Sequence, residues 1–382
     1  MSRYSFLYRL FLGATIITLP GCASPHAGPG RPIDAATFKT QFLHFCDLAV
    51  TELHKEITPF GDRENADPTT HHMPFFEDAH AVRALAVAYD MTGNRAYLDA
   101  CRKWADRMVA YQSTMHPRGA YYMNHGRAPG QNSGRWNVAD SGTIGMGVLA
   151  TAARCDDPFN KAFYLDSAKS FARLVIDNYV SKEGGICNGL WPVYAGPWWC
   201  STATAGSLMF MLHEETGEEE YLRVAKSAMN WLLAQDFRKL SPITFEQRPS
   251  GTIYYCFEFY ATGLKHLDPN SPQHRALTCQ LDAAFAWMAA NQKTRGANVP
   301  PYLEKNVDMA GLPCLMYAFT RQLPQYRDQL PPADRELQYV GELLLGKGEP
   351  NVSRLMTWEV MTWGMMSYAE RLAPGAIFLV GS

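Results

Sequence analysis

The chain has 382 residues, with 35 Lys plus Arg against 37 Asp plus Glu for a net charge of −2, and it is 47% hydrophobic and 12% aromatic. That apolar content is enough for a sizeable buried core, which excludes a disordered chain. The near-neutral balance, with no Lys/Arg run of five or more, excludes the electrostatic footprint of a nucleic-acid binder and points to a neutral partner.

The amino end reads as a targeting segment: Arg3 and Arg9 are followed by a short apolar stretch, Leu10 to Leu19, and then by Leu19-Pro20-Gly21-Cys22. About ten apolar residues are too few for a spanning helix, which needs roughly 20. The tetrapeptide resembles the lipobox of bacterial lipoproteins. The resemblance implies an exported protein whose lipidated Cys22 is the mature amino terminus, held to the membrane by that anchor alone. Residues 23 to 34, rich in Pro, Gly and Ala, read as a tether.

From residue 35 onward apolar residues recur at helical spacing and alternating runs are scarce, which predicts an all-α fold. Thr92-Gly93 followed by Tyr97-Leu98, Ala100, Trp104 and Gln112 returns as Thr216-Gly217 with Tyr221-Leu222, Ala225, Trp231 and Gln235. A looser third copy stands at Tyr164-Leu165 and Ala168. Each copy starts an amphipathic helix after a glycine stop, and such self-similarity signals stacked hairpins.

The spacing predicts twelve helices in six pairs. Amphipathic first members fall near 36–57, 95–112, 158–180, 218–236, 272–293 and 333–346. Second members, apolar almost all round, fall near 76–92, 139–154, 201–215, 251–267, 308–321 and 356–372. A helix apolar on every side must be buried on every side. Six amphipathic helices around six buried ones describe an (α/α)6 toroid, one domain over residues 35–382.

Outside Cys22 there are eight cysteines and no C-x-x-C pair, so neither a zinc ribbon nor a dithiol redox site is expected. Cys187 and Cys200 flank a loop that a disulfide could staple; buried free thiols are expected elsewhere.

The loops leading into the apolar helices are long and aromatic, at 113–138, 181–200 and 294–307, whereas those leading out are short. Function therefore gathers at the rim formed by the amino ends of the buried helices. Asp78 and Asp140 open two of those helices, with Asp308 and Glu359 as lesser acidic candidates. Trp136, Tyr122, Trp198, Trp199 and Trp358 offer faces for stacking on sugar rings. Arg135, with Arg118 and Arg127, suits a sugar carboxylate, because guanidinium binds it bidentately. His72 and His125 stand in rim loops as substrate-binding candidates, and His80 reads as a core or inner-wall residue. No His/Asp spacing fits a metal site, and no cofactor is implied.

The sequences Phe75-Phe-Glu-Asp78-Ala-His80 and Trp136-Asn-Val-Ala-Asp140-Ser141-Gly, together with the six-hairpin pattern and the lipobox, resemble the six-hairpin glycosidases. Within them the likeness is to the unsaturated glucuronyl and rhamnogalacturonyl hydrolases. It implies that Asp140 protonates the C4=C5 vinyl ether of an unsaturated uronic acid so that water adds at C5, with Asp78 as its partner across the cleft. One departure stands out: where those hydrolases carry a Trp-x-Arg-Gly-x-x-Trp segment, this chain reads Gly196-Pro-Trp-Trp-Cys-Ser-Thr-Ala-Thr-Ala-Gly206.

The expected function is a glycoside hydrolase acting on oligosaccharides that contain uronic acid. Two alternatives compete with it: a polysaccharide lyase using Tyr121 or Tyr122 with His125, and a non-catalytic glycan-binding lipoprotein. Since Asp is also a strong helix cap, Asp140 could serve only as one. Burial among aromatic residues is expected to raise its pKa, against the pull of the helix dipole.

Overall fold

The computed structural model describes residues 34–54, 75–123, 132, 136–189, 196–235, 249–295, 310–345 and 358–378, of which 249–253, 287–295, 343 and 359 are described in backbone only. Among them are twelve α-helices: α1 Ala35–Glu52, α2 Phe75–Thr92, α3 Arg95–Gln112, α4 Val138–Ala152, α5 Pro158–Asn178, α6 Trp199–Thr216, α7 Glu219–Leu233, α8 Pro249–Gly263, α9 Pro272–Arg295, α10 Leu312–Gln322, α11 Leu330–Leu344 and α12 Trp358–Leu372. The even-numbered helices pack in sequence, and α12 closes the ring on α2; each odd-numbered helix lies outside the ring against its inner neighbours. This is the (α/α)6 toroid expected from the periodicity. The described residues contain isolated bridges, Val180 with Ile186 and Cys187 with Pro197, and no strand.

Inner helices are apolar on all sides because each meets two inner neighbours and the outer layer. Eleven of the fourteen α6 residues from Trp199 to Leu212 are at most 2% exposed, and the other three are buried as well. Small residues let the helices approach: a Cβ on Gly142 would fall 2.8 Å from the Thr204 backbone. The inner ring is parallel, as its contacts advance in register. His80 meets Trp363 and Tyr254, and one turn on Arg83 meets Glu258.

The repeat seen in the sequence is a repeat of hydrogen bonds. Gly93 and Gly217 adopt left-handed φ values of 68° and 72°, which end α2 and α6. The preceding threonines each cap twice: Thr92 Oγ1 donates to Ala88 O and accepts from Asn94 N, while Thr216 Oγ1 donates to Leu212 O and accepts from Glu218 N. The tyrosines of the first and third copies tie one outer helix to the preceding one. Tyr97 donates to Asp47 at 2.8 Å, and Tyr164 to Asp106 at 2.5 Å.

The ring has no open bore. His80, Tyr254 and Trp363 are each the sixth residue of their helix, about 7 Å below the amino-terminal rim at 1.5 Å per residue. They meet at ring distances of 4.0, 6.1 and 3.8 Å and close the bore there. Beneath them Arg83 reaches from α2 across the axis to Glu258 of α8 at 2.6 Å, both side chains 1% exposed, and donates a second bond to Ile377 O at 2.8 Å. A cleft on the amino-terminal side therefore has a floor.

Cys187 and Cys200 are both free thiols, so the bridge the sequence allowed is not formed. The loop they flank is tied instead by backbone bonds: Cys187 N to Tyr179 O at 2.9 Å and Trp198 N to Ile186 O at 3.0 Å.

Candidate active site

The amino end of α4 is built to fix Asp140. Asn137 caps the helix, its side-chain oxygen accepting from Asp140 N at 2.8 Å. Asn188, from the loop before α6, accepts from Val138 N through its carbonyl at 3.0 Å and from Ala139 N through its side chain at 3.1 Å. The cap is thus supplied by Asn137 and Asn188, and the Asp140 carboxyl is left for other work. Asn188 is fully buried; its Asn-Gly sequence reads only as a turn, so its part in the site was not foreseen.

Asp140 is half-buried. Burial raises its carboxyl pKa to about 7, opposed by the Asn137 side chain, which lowers it. A carboxyl in that range exchanges its proton near neutrality, as a general acid must. The cause is desolvation, as expected, rather than repulsion by Asp78.

Asp78 is wholly enclosed. Its Oδ1 accepts from Trp358 Nε1 at 2.8 Å and its Oδ2 from Trp104 Nε1 at 3.1 Å, with Arg107 at 3.9 Å. It joins an inner helix, an outer helix and α2 at one point.

The aromatic candidates divide into two groups. Trp198 is half-buried and Trp199 is 7% exposed; they meet edge to face at 5.3 Å, and Trp199 lies 6.4 Å from the half-buried Tyr255. With Phe76, also half-buried, they mark the mouth of the site at the amino ends of α2, α6 and α8. Trp136, Tyr122 and Trp358 are turned to the interior instead, at 2%, 2% and 0% exposure. Trp136 meets Tyr179 edge to face at 5.7 Å and covers Gly189, where a Cβ would come within 2.8 Å of the indole. Tyr122 meets Tyr111 edge to face, and Trp358 is committed to Asp78. His72, His125, Arg127, Arg135 and Asp308 lie outside the described residues, as does the side chain of Glu359.

In the floor, the two ring nitrogens of His80, Tyr254 Oη and Trp363 Nε1 have no protein partner among the described residues. Burial holds His80 well below its usual pKa, with Arg83 adding to the effect, so its imidazole is neutral. Burial likewise pushes the Tyr254 phenol up, so it too is uncharged at neutral pH. Tyr121, the lyase candidate, is fully buried, shares a hydrogen bond with Ser167 at 2.8 Å and has its pKa raised by burial. That is the wrong direction for a base. No group of three His, Cys, Asp or Glu among the described residues is placed to hold a metal ion.

The raised pKa of Asp140 has a stability consequence. The unfolded carboxyl ionises near 3.8 while the folded one holds its proton to about 7. Folding therefore loses stability as pH rises from about 4 to about 7 and levels off above that. Asp140→Asn has no charge to desolvate and caps equally well. Its melting temperature should match that of the wild type at pH 4 and exceed it increasingly up to pH 7; parallel melting curves across that range would contradict the assigned shift.

Comparison with known proteins gives four likenesses, one to a family profile and three to solved structures. Residues 53–240 match the profile of Glycosyl hydrolase family 76. Among solved structures, a family 76 glycoside hydrolase from a bovine Bacteroides thetaiotaomicron strain is 15% identical, over 88% of this chain and 77% of that one, at a TM-score of 0.56. An unsaturated glucuronyl hydrolase from Streptococcus agalactiae is 12% identical, over 94% and 98%, at 0.57. A family 76 mannosidase from B. thetaiotaomicron is 14% identical, over 89% and 98%, at 0.54. No curated protein matches the sequence. The twelve-helix ring and these likenesses show that the chain has the (α/α)6 fold of these solved glycoside hydrolases.

Proposed function

We propose that this protein is a glycoside hydrolase in which Asp140 is the proton donor to the leaving oxygen. The observation that carries this reading is a half-buried carboxyl with a pKa of about 7, whose helix is capped by other residues and opens at the same end of the ring as Trp198, Trp199 and Tyr255. Trp198, Trp199 and Tyr255 supply faces on which pyranose C–H groups stack. Asp78 acts in this reading as a positioning residue, holding the Trp104 and Trp358 indoles and with them the wall beside the site.

For the substrate, the family 76 likeness favours a neutral, mannoside-type glycan. A second reading, hydrolysis of an unsaturated uronide, draws on the near-complete overlap with the glucuronyl hydrolase fold. The two are separated by assay. Release of reducing sugar from mannan oligosaccharides, with no loss of the C=C absorbance of lyase-generated unsaturated oligomers, is the expected result. Loss of that absorbance without action on mannan would establish the second reading instead, and sugar binding without turnover of either would leave a glycan-binding protein.

A further inference from the structure

We propose that the rim opposite the active site carries a binding pocket for a small phosphate-bearing anion, formed by Arg321, Arg327 and Arg371. The proposal is independent of the glycosidase reading. A cavity of about 260 Å³ opens where α10 and α12 end and α11 begins. These are the carboxyl ends of inner helices and the amino end of an outer one, so the cavity faces away from Asp140.

Three guanidinium groups line this cavity against two acidic side chains that the protein has already engaged. Asp334 accepts from Arg371 Nε at 2.8 Å and from Tyr317 Oη at 2.7 Å. Glu370, fully buried, accepts from Arg321 Nε at 3.2 Å and from Gly375 N at 2.7 Å. These carboxylates work as struts that fix the guanidinium planes: Glu370 takes Nε of Arg321, and Asp334 takes both Nε and, at 3.4 Å, Nη2 of Arg371. The Nη atoms of Arg321 carry no hydrogen bond among the described residues, and the Arg327 guanidinium has no hydrogen-bond or ion-pair partner there. Three cations against two spent anions leave an excess positive charge and a set of free N–H donors around one small volume.

Guanidinium groups recognise planar or tetrahedral oxyanions through paired N–H bonds, and a phosphate uses more of them than a carboxylate does. The remaining wall is Thr320 and an apolar part from Leu330, Pro374 and the Tyr317 ring, which suits an organic substituent on the phosphate. The volume is below the usual range for a drug-sized ligand. It admits a phosphate monoester or a small headgroup and excludes an oligosaccharide chain.

Chain topology says where such a ligand would come from. α1 starts at this same rim: Arg371 lies over the Phe38 ring at 5.8 Å, only four residues beyond the Asp34 cap. The twelve residues between Cys22 and α1 can span at most about 40 Å. If Cys22 is lipidated, as the lipobox resemblance implies, that length leaves this rim within reach of a membrane surface, and phospholipid headgroups are then one source of the ligand. A free phosphate ester is the other source of the same chemistry.

The test is calorimetric titration of the purified full chain with inorganic phosphate and, separately, with glycerophosphoglycerol, the water-soluble headgroup of phosphatidylglycerol. Saturable binding of at least one probe, with Kd below about 1 mM, is expected, and Arg327→Gln should weaken it at least tenfold. Arg327 is exposed and unpartnered, so this substitution should leave the melting temperature unchanged. Tighter binding of the headgroup would assign the pocket to lipid, and tighter binding of inorganic phosphate to a free ester. Absence of saturable binding for both probes, or equal binding by wild type and Arg327→Gln, would overturn the proposal.

Discussion

Asp140→Asn is expected to lower kcat by about 10² to 10⁴, the usual contribution of a positioned proton donor, while leaving KM and the fold nearly intact. The substitution separates chemistry from capping. Asn caps a helix about as well as Asp, and the cap here is made by Asn137 and Asn188 in any case. A variant that kept full turnover on a confirmed substrate would show that Asp140 has no chemical role. Circular dichroism of the same sample guards against a trivial loss by unfolding.

The largest stability effect is expected at the buried ion pair across the ring axis. Arg83→Met leaves Glu258 without its guanidinium partner at a place where both side chains are 1% exposed, so the chain should lose about 3–5 kcal/mol, measured by denaturant unfolding. Loss of the Arg83 bond to Ile377 O also loosens the segment after α12. The double variant Arg83→Met, Glu258→Leu should recover most of that loss, because it removes the unpaired charge along with the pair. A single variant as stable as wild type would show that the pair carries none of the coupling between α2 and α8.

The fold was legible because a toroid of this kind writes its two layers into two kinds of helix. Met146-Gly-Val-Leu-Ala-Thr and Leu208-Met-Phe-Met-Leu are apolar on every face, and no arrangement but an inner ring buries them all. The long loops lead to the rim at which Asp140 stands, in the first turn of α4. What the sequence could not show is the direction in which a side chain points. Trp136, Trp198 and Trp358 look alike as aromatic residues at helix entrances, yet one covers Gly189, one borders the mouth and one is bonded to Asp78. Asp78 and Asp140 look equally like openers of inner helices. Their difference is made by Trp104 and Trp358, the latter 280 positions away in sequence, and no local pattern encodes a contact of that separation. The floor of His80, Tyr254 and Trp363 was hidden for the same reason: it exists only once α2, α8 and α12 are brought to the same depth.

The pH dependence of kcat for the wild type tests the central claim most directly. With Asp140 as proton donor and its pKa near 7, kcat on a confirmed substrate should be level in the protonated range and fall tenfold per pH unit above about 7; the residual rate of Asp140→Asn should lack that limb. A wild-type profile that stays flat from pH 6 to pH 9, or an Asp140→Asn variant that keeps the same limb, would contradict it.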